Sequence, residues 1–283
     1  MKQRRADRMP RLLGVAGDPV DHSLSPRFQN AALRRLGLPY IYRTFRCPDG
    51  AALRRLVELA PVLDLHGLNI TTPLKEAAAD LVLRAGTADE EVAWSRSVNT
   101  LLTGNVLRGA STDGTGGLAA LRELGAERRR PLIVLGFGAT ARSLVWHLLR
   151  DRRRRIAILT RRPAAARRRL RRLPFTPAAD LTVAHPGRWK GEAHAWGTLV
   201  STWPPRAWSP ETAAVVAPHL EGGAVVIDLN YGAGRERLFR WARRGGYVAR
   251  DGRLFLLHQG IGSFRLWTRR RPPVDVMRAA LGL

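Results

Sequence analysis

Leu132-Ile133-Val134-Leu135-Gly136-Phe137-Gly138-Ala139-Thr140-Ala141-Arg142 is the stretch that decides the fold. Four apolar residues in a row read as a buried strand, the glycines as a tight turn, and Ala139 onward as a helix start. The pattern is G-x-G-x-x-A. Gly136 permits the turn, Gly138 lets the backbone approach a pyrophosphate, and Ala141 in the third position keeps helix and strand close. The helix N-terminus presents free N–H groups to an anion. Strand, turn and helix stand in the order the motif requires, so Gly136, Gly138, Ala139, Thr140 and Ala141 are candidate dinucleotide contacts. The alternative is a glycine-rich βα turn that holds no ligand.

The next apolar run, Ile156–Thr160, ends where an acid would bind a free ribose hydroxyl, ~20–25 residues on. Thr160-Arg161-Arg162 stands there instead. A guanidinium cannot accept from a hydroxyl but pairs well with a 2′-phosphate, which points to NADP.

Further out, Leu181–Ala184, Leu199–Ser201 and Ala224–Leu229 read as strands, and Arg161–Leu173 as an exposed helix. Glu127-Arg128-Arg129-Arg130-Pro131 reads as a surface linker, preceded by a helix from about Asp113 to Leu124. The N-terminal part alternates in the same way. Leu12–Ala16, Tyr40–Arg46 and Gly67–Thr72 are strand-like; Ser25–Leu36, Ala51–Ala60 and Leu74–Leu83 are helix-like, with Ser25 as a cap and Pro26 in the first turn. Val98–Leu102 and Val106–Gly109 flank a turn at Thr103-Gly104-Asn105. Such alternation predicts an α/β fold with parallel sheets and crossover helices. At ~100–200 residues per domain, 283 residues suggest two domains or one large one.

Composition excludes several classes. Hydrophobic residues make up 45% and charged residues 25%, an ordinary globular balance that leaves out disorder and collagen. The single cysteine, Cys47, rules out an intrachain disulfide and paired-cysteine zinc sites, and suits a cytosolic protein. No apolar run nears the ~18 residues of a membrane span. The run 12–17 is too short for a signal peptide and is followed by Asp18. The seven histidines show no ligand spacing, so no metal is expected, and the eight tryptophans read as packing residues. The net charge of +25 is carried by 45 arginines and only three lysines, Lys2, Lys75 and Lys190. Their clusters at 128–130, 152–155, 167–172 and 269–271 raise a nucleic-acid partner. No aromatics interleave with the main clusters to stack bases, so solvated faces are the preferred reading.

Four segments carry small polar groups at strand ends or helix starts. They are Asp21-His22-Ser23-Leu24-Ser25-Pro26, Gly67-Leu68-Asn69-Ile70-Thr71-Thr72-Pro73-Leu74-Lys75, Ser97-Val98-Asn99-Thr100 and Ser111-Thr112-Asp113-Gly114. Hydroxyls, amides, one lysine and one carboxylate suit a polyhydroxylated acid. Lysine, unlike arginine, can lose its proton near neutrality when desolvated, so a retained Lys75 hints at proton transfer. A surface helix residue is the other reading of Lys75.

In this order, and followed by G-x-G-x-x-A, the segments resemble the shikimate dehydrogenase family over nearly the whole chain. The resemblance implies a substrate-binding domain of residues 1–112 plus 255–283 and a Rossmann-like NADP-binding domain of residues 113–254. It implies Ser23 and Ser25 on the substrate carboxylate, Thr71 on a substrate hydroxyl, and Asn99 as a further contact. Lys75 and Asp113 would be the catalytic pair. Asp251–Gln259 resembles the family's D-G-x-x-M-L-x-x-Q, which makes Gln259 a substrate contact. Tyr231 matches the tyrosine near the nicotinamide. Ser111, Phe255, Ala139-Thr140, Thr160-Arg161-Arg162 and Gly232-Ala233 depart from the family pattern.

The implied activity is reversible, NADP-dependent reduction of 3-dehydroshikimate to shikimate by a monomer or homodimer. A quinate or aminoshikimate-type paralogue is the alternative within the family. A basic nucleic-acid-binding protein is the alternative outside it. Gln259 must reach a site built near the N-terminus, so the chain is expected to cross back, with Phe264–Trp267 packing on the first domain.

Overall fold

A computed structural model describes residues 9–126, 130–150, 155–204 and 207–283. The linker at 127–129 and the arginines at 152–154 lie outside the described residues, as does Lys2. The chain divides into two compact units, residues 1–112 with 259–283 and residues 113–258.

The first unit holds β1 (Arg11–Gly17), α1 (Ser25–Arg35), β2 (Tyr40–Arg46), α2 (Gly50–Glu58), β3 (Leu65–Ile70), α3 (Lys75–Ala85), α4 (Glu90–Ser95), β4 (Thr100–Thr103) and β5 (Leu107–Ala110). Its sheet runs β2-β1-β3-β4-β5. β1 pairs in parallel with β2 and β3, and β4 is antiparallel to both its neighbours. Apolar runs form β1 and β3 because both faces of a covered parallel strand are buried. The core gathers Leu65, Leu68, Ile70, Leu74, Val82, Val98 and Leu101. Strand order reverses between β1 and β3, so the loops leaving their carboxyl ends flank a crevice where α/β sheets bind ligands.

Two local expectations need correcting. Val98 and Asn99 stand outside β4, which begins at Thr100; their backbone N–H groups instead bond the carbonyls of Lys75 (3.2 Å) and Ala110 (3.2 Å). Ser25 is not the cap of α1. Leu24 holds that position without a side-chain bond, and the Ser23 hydroxyl accepts from the Ser25 N–H at 3.2 Å.

The second unit holds α5 (Asp113–Glu123), β6 (Leu132–Leu135), α6 (Ala139–Leu148), β7 (Arg155–Leu159), α7 (Pro163–Leu170), β8 (Asp180–Ala184), β9 (Trp196–Ser201), α8 (Pro210–Val216), β10 (Leu220–Asp228), α9 (Glu236–Arg244) and β11 (Val248–Arg250). The sheet order is β11-β10-β9-β6-β7-β8, and all its pairs are parallel. Two halves wind outward from β6 and β9, so the reversal falls at the end of the strand that carries the glycine turn. Trp189, Trp196 and Trp208 sit in the core with Ile133, Leu135, Leu159, Leu199 and Val226. The exposed helix expected over 161–173 is shorter, Pro163–Leu170.

α10 (Arg253–Thr268) carries the boundary between the units within it, and α11 (Val274–Leu281) packs on α1. Phe264 and Trp267 are buried in the first unit, and the Trp267 indole donates to the Leu101 carbonyl at 2.9 Å. No helix among the described residues is long and apolar enough to cross a membrane.

Candidate active site

In the first unit, the loops after β1 and β3 are stitched together. The Asp18 N–H donates to the Thr72 carbonyl at 3.2 Å and the Thr71 N–H to the Ala16 carbonyl at 3.0 Å. Gly17 is required here, since a Cβ would lie 2.3 Å from the Thr71 methyl. Ser23 and Ser25 follow one loop; Thr71 and Lys75 follow the other. Ser25 is buried, while Ser23, Thr71 and Lys75 are half-buried. Lys75 is the first residue of α3, so the helix start fixes where its side chain leaves the backbone.

Behind these loops lies a buried network of hydroxyls and amides. The Asn99 amide donates to the Gln259 carbonyl oxygen (3.1 Å) and to the Thr112 hydroxyl (2.8 Å). Its oxygen accepts from the Thr112 N–H (2.8 Å) and the Thr100 hydroxyl (3.0 Å). Asn69 donates to Ser263 Oγ (2.8 Å) and the Asn99 carbonyl (3.0 Å), and accepts from the Tyr42 hydroxyl (2.8 Å). Asn99 and Gln259 are thus brought together from positions far apart in the chain. Tyr42, Asn69, Thr100, Thr112 and Ser263 carry no assignment in the sequence reading. Asn69, Thr100 and Thr112 did leave a signal there, since each stands in one of the four polar segments.

Thr112 is the last residue of this unit and Asp113 the first of the other. Asp113 opens α5, where a carboxylate faces the positive end of the helix. It is buried, and its Oδ2 accepts from the Thr140 hydroxyl at 3.2 Å.

In the second unit, a cleft of about 730 Å³ lies beyond the carboxyl ends of β6, β7 and β9. Gly136, Gly138, Thr160, Arg161 and Arg162 line it. Gly136 has φ +103°, and a Cβ there would lie 2.4 Å from Thr202 Oγ1. A Cβ on Gly138 would meet nothing within 4 Å, so the backbone at the head of α6 faces open space. Ala139 and Thr140 form the first turn of α6 outside the cleft wall, and Ala141 is fully buried. Arg161 and Arg162 are exposed, and the Thr160 hydroxyl accepts from the Arg162 N–H at 3.3 Å.

Arg142, Arg169, Thr202 and Trp203 also line the cleft and were not singled out by sequence. Trp203 packs against the core, as the sequence reading has it, and lines the cleft as well. Arg169 could have been found, since it lies about two helical turns beyond Arg162 on the same helix face.

Tyr231 is half-buried in the loop after β10 and does not line this cleft. Its neighbour Asn230 is held by Asp228. The buried Asp228 carboxylate accepts the Asn230 N–H (3.0 Å) and side-chain amide (2.7 Å), and that amide also donates to the Trp203 carbonyl (2.8 Å). Burial pushes the Asp228 carboxyl up to about 6, against the pull of Asn230 and Arg235.

A sheet of this order, with a glycine turn at the reversal and a basic cleft beyond it, defines an α/β protein with a Rossmann-type unit. Residues 15–101 match the model of the shikimate dehydrogenase substrate binding domain, and residues 255–281 that of the shikimate 5′-dehydrogenase C-terminal domain. A shikimate dehydrogenase (NADP(+)) of Methanosarcina mazei is 35% identical, over 95% of this chain and 97% of its own. That of Methanothermobacter thermautotrophicus is 34% identical, over 95% and 94%. A crystal structure of shikimate 5-dehydrogenase from Thermus thermophilus, in complex with NADP(H) and shikimate, superposes with a TM-score of 0.77 at 28% identity, covering 96% of this chain and 98% of that one. The chain belongs to the shikimate dehydrogenase family.

Proposed function

We propose that the protein catalyses the NADP-dependent, reversible reduction of 3-dehydroshikimate to shikimate. Residues 1–112 with the C-terminal segment bind the substrate, and the middle of the chain binds NADP. The hydroxyls of Ser23 and Ser25 hold the substrate carboxylate. Thr71, Asn99 and Gln259 take ring hydroxyls, which only hydrogen-bonding side chains at fixed positions can distinguish. Tyr231 borders the nicotinamide end.

The residues fit the cofactor. The open backbone at Gly138 and the start of α6 suit a pyrophosphate, and Arg161 with Arg162 a 2′-phosphate. Ala139, Thr140 and Ala141 continue the turn into α6, and Thr160 lines the cleft from the end of β7. When bound, NADPH supplies the hydride; the protein supplies orientation and the proton.

Reduction of a ring ketone leaves an alkoxide that must gain one proton. The Lys75 ammonium donates it, and Asp113 orders Lys75 and accepts a hydrogen bond from the same hydroxyl. In the reverse direction Lys75 takes the proton back. Aimed at one oxygen, the Lys75 ammonium stabilises the transition state more than the neutral ketone, which raises kcat.

One observation carries this reading. Val98 bonds the backbone of Lys75, and the adjoining Asn99 clamps Thr112, the residue before Asp113. A two-residue segment therefore joins Lys75, Thr112 and Gln259, three of the segments the resemblance names, within the first unit.

The lone cysteine, buried Cys47, whose thiol is raised by burial and by the charge of Asp49, suits a reducing cytoplasm. A monomer or homodimer is the proposed state. Steady-state turnover of shikimate, quinate and aminoshikimate, each with NADP and NAD, tests the assignment. Shikimate with NADP should give the highest kcat/KM; a higher value for quinate or aminoshikimate would replace the substrate, and turnover of none would end the proposal.

A further inference from the structure

The last turn of α10 and the chain that follows it bring four guanidinium groups together. Arg265, Arg269, Arg270 and Arg271 line a concavity of about 520 Å³ in the first unit. All four are exposed. Elsewhere arginines of this chain meet carboxylates, as in Arg11–Asp64, Arg46–Asp18 and Arg155–Glu192. None of these four makes an ion pair with a described residue.

The arrangement is fixed by the backbone. Phe264 and Trp267 anchor the helix end in the core. The Thr268 hydroxyl donates to the Phe264 carbonyl (2.7 Å) and accepts the Arg270 N–H (3.2 Å). Arg269 then turns through the left-handed region at φ 54°, a conformation that side chains disfavour, and its N–H caps the Arg265 carbonyl at 2.9 Å. The turn sets three consecutive arginines around the concavity that Arg265 also lines. Buried Pro272 ends the run.

Four like charges around one hollow repel each other, and an anion seated there reverses the sign of that term. Guanidinium forks match phosphate oxygens in pairs. The volume falls in the range of sites for single small ligands. Among the described residues no aromatic side chain lines it, so they supply none of the stacking platforms that hold polynucleotide bases. Arg270 and Arg271 also line an adjoining hollow of about 360 Å³ floored by Leu36–Pro39, which gives room for an uncharged part of the same ligand.

We propose that Arg265, Arg269, Arg270 and Arg271 form a second anion site, outside the nucleotide cleft, for a compact small molecule bearing two or more phosphate groups. Calorimetric titration of the full-length protein with inorganic tripolyphosphate, at constant ionic strength of about 0.15 M, tests it. Saturable one-to-one binding is expected. Replacing Arg269, Arg270 and Arg271 together by Gln should weaken it at least tenfold, and Arg265→Gln alone about threefold, with circular dichroism unchanged. Arg161→Ala should leave it intact. Equal binding by wild type and the triple variant overturns the site, as does loss of binding in Arg161→Ala, which would move it to the nucleotide cleft. Abolition by sodium sulfate at matched ionic strength would reduce it to an ion atmosphere. A single-stranded oligonucleotide binding more than tenfold tighter than tripolyphosphate would make the surface a polynucleotide contact and overturn the small-ligand class.

Discussion

The two units handle polar groups in opposite ways. In the first, Asn69, Asn99, Thr100, Thr112, Gln259 and Ser263 are buried and spend their hydrogen bonds on one another. In the second, Arg161 and Arg162 stand exposed at the mouth of a cleft of about 730 Å³. A buried network of neutral groups is rigid, because each member left unsatisfied costs about 1–3 kcal/mol. It suits discrimination among ring hydroxyls, which differ by position and not by charge. Exposed guanidiniums are adaptable and act through charge, which suits a phosphorylated cofactor. The contrast predicts that damage to the first unit appears in stability and turnover, and damage to the cleft rim in affinity and salt dependence.

The largest effect should come from Lys75. Lys75→Ala is expected to lower kcat ~10²–10⁴-fold, the usual share of a general acid, with KM little changed. Ser23→Ala should do the reverse, raising KM for the acid substrate with kcat nearly kept, because a carboxylate is bound alike in ground and transition states. If Lys75→Ala turned over at the wild-type rate, Lys75 would be a surface helix residue and the acid would have to be sought elsewhere.

Asp228 offers a test inside the second unit, because it is a buried acid there. Its carboxyl is raised to about 6 in the fold, against about 3.9 in an unfolded chain. Between those values the folded state binds more protons than the unfolded one, so stability rises as pH falls from about 7 towards 4. At ~1.4 kcal/mol per unit of pKa, the ionised form costs the fold up to about 3 kcal/mol at neutral pH. Asp228→Asn keeps an oxygen to accept from Asn230 and loses the titration. Denaturant unfolding of both proteins at pH 4.5, 6 and 7.5 should show the variant gaining on wild type with pH. A stability difference flat across that range would mean that Asp228 ionises freely.

Asn99→Ala should cost about 2–3 kcal/mol of unfolding free energy, since Gln259, Thr100 and the Thr112 N–H all lose a partner. Arg161→Ala, measured beside it, should leave stability within about 0.5 kcal/mol, as exposed substitutions do. Comparable losses in both would erase the contrast between the units.

What could be read in advance follows the same division. The glycine turn is legible because strand, turn and helix start are local chemistry, and Gly136 adopts the positive φ that such a turn needs. Cys47, Trp189 and Trp196 are buried as apolar composition implies. The Asn99–Gln259 bond joins residues 160 apart, and no periodicity connects them; only the resemblance put both in one site. Asp228 was invisible for another reason. The run Ala224–Leu229 reads as a strand, but the strand pattern does not say that the acid near its end is only 1% exposed. The arginine runs split: Arg155 is absorbed by Glu192, while 269–271 line a hollow of their own. Sequence spacing does not separate those fates, because each depends on whether a distant acid folds back beside the run.

The smallest expected effect, and the one that probes the cleft rim most directly, is the cofactor preference. β7 delivers Arg161 to the edge of the cleft, and no acid stands at 160–162 to bind a free ribose hydroxyl or repel a phosphate. Arg161→Ala should weaken NADP binding about tenfold, or ~1.4 kcal/mol, and leave NAD binding nearly unchanged. The net charge of +25 is the confounder, because a general positive field also favours the more anionic cofactor. Salt separates the two. A field acting beyond about 10 Å is screened at about 0.1 M salt, and by about 0.5 M little of it is left, while a bidentate contact to a phosphate persists in part. The ratio of NADP to NAD affinity should therefore fall with salt to a plateau above one in wild type and to near one in Arg161→Ala. A wild-type ratio that reaches one at high salt would assign the preference to the field of the whole protein, and Arg161 would be one arginine among 45.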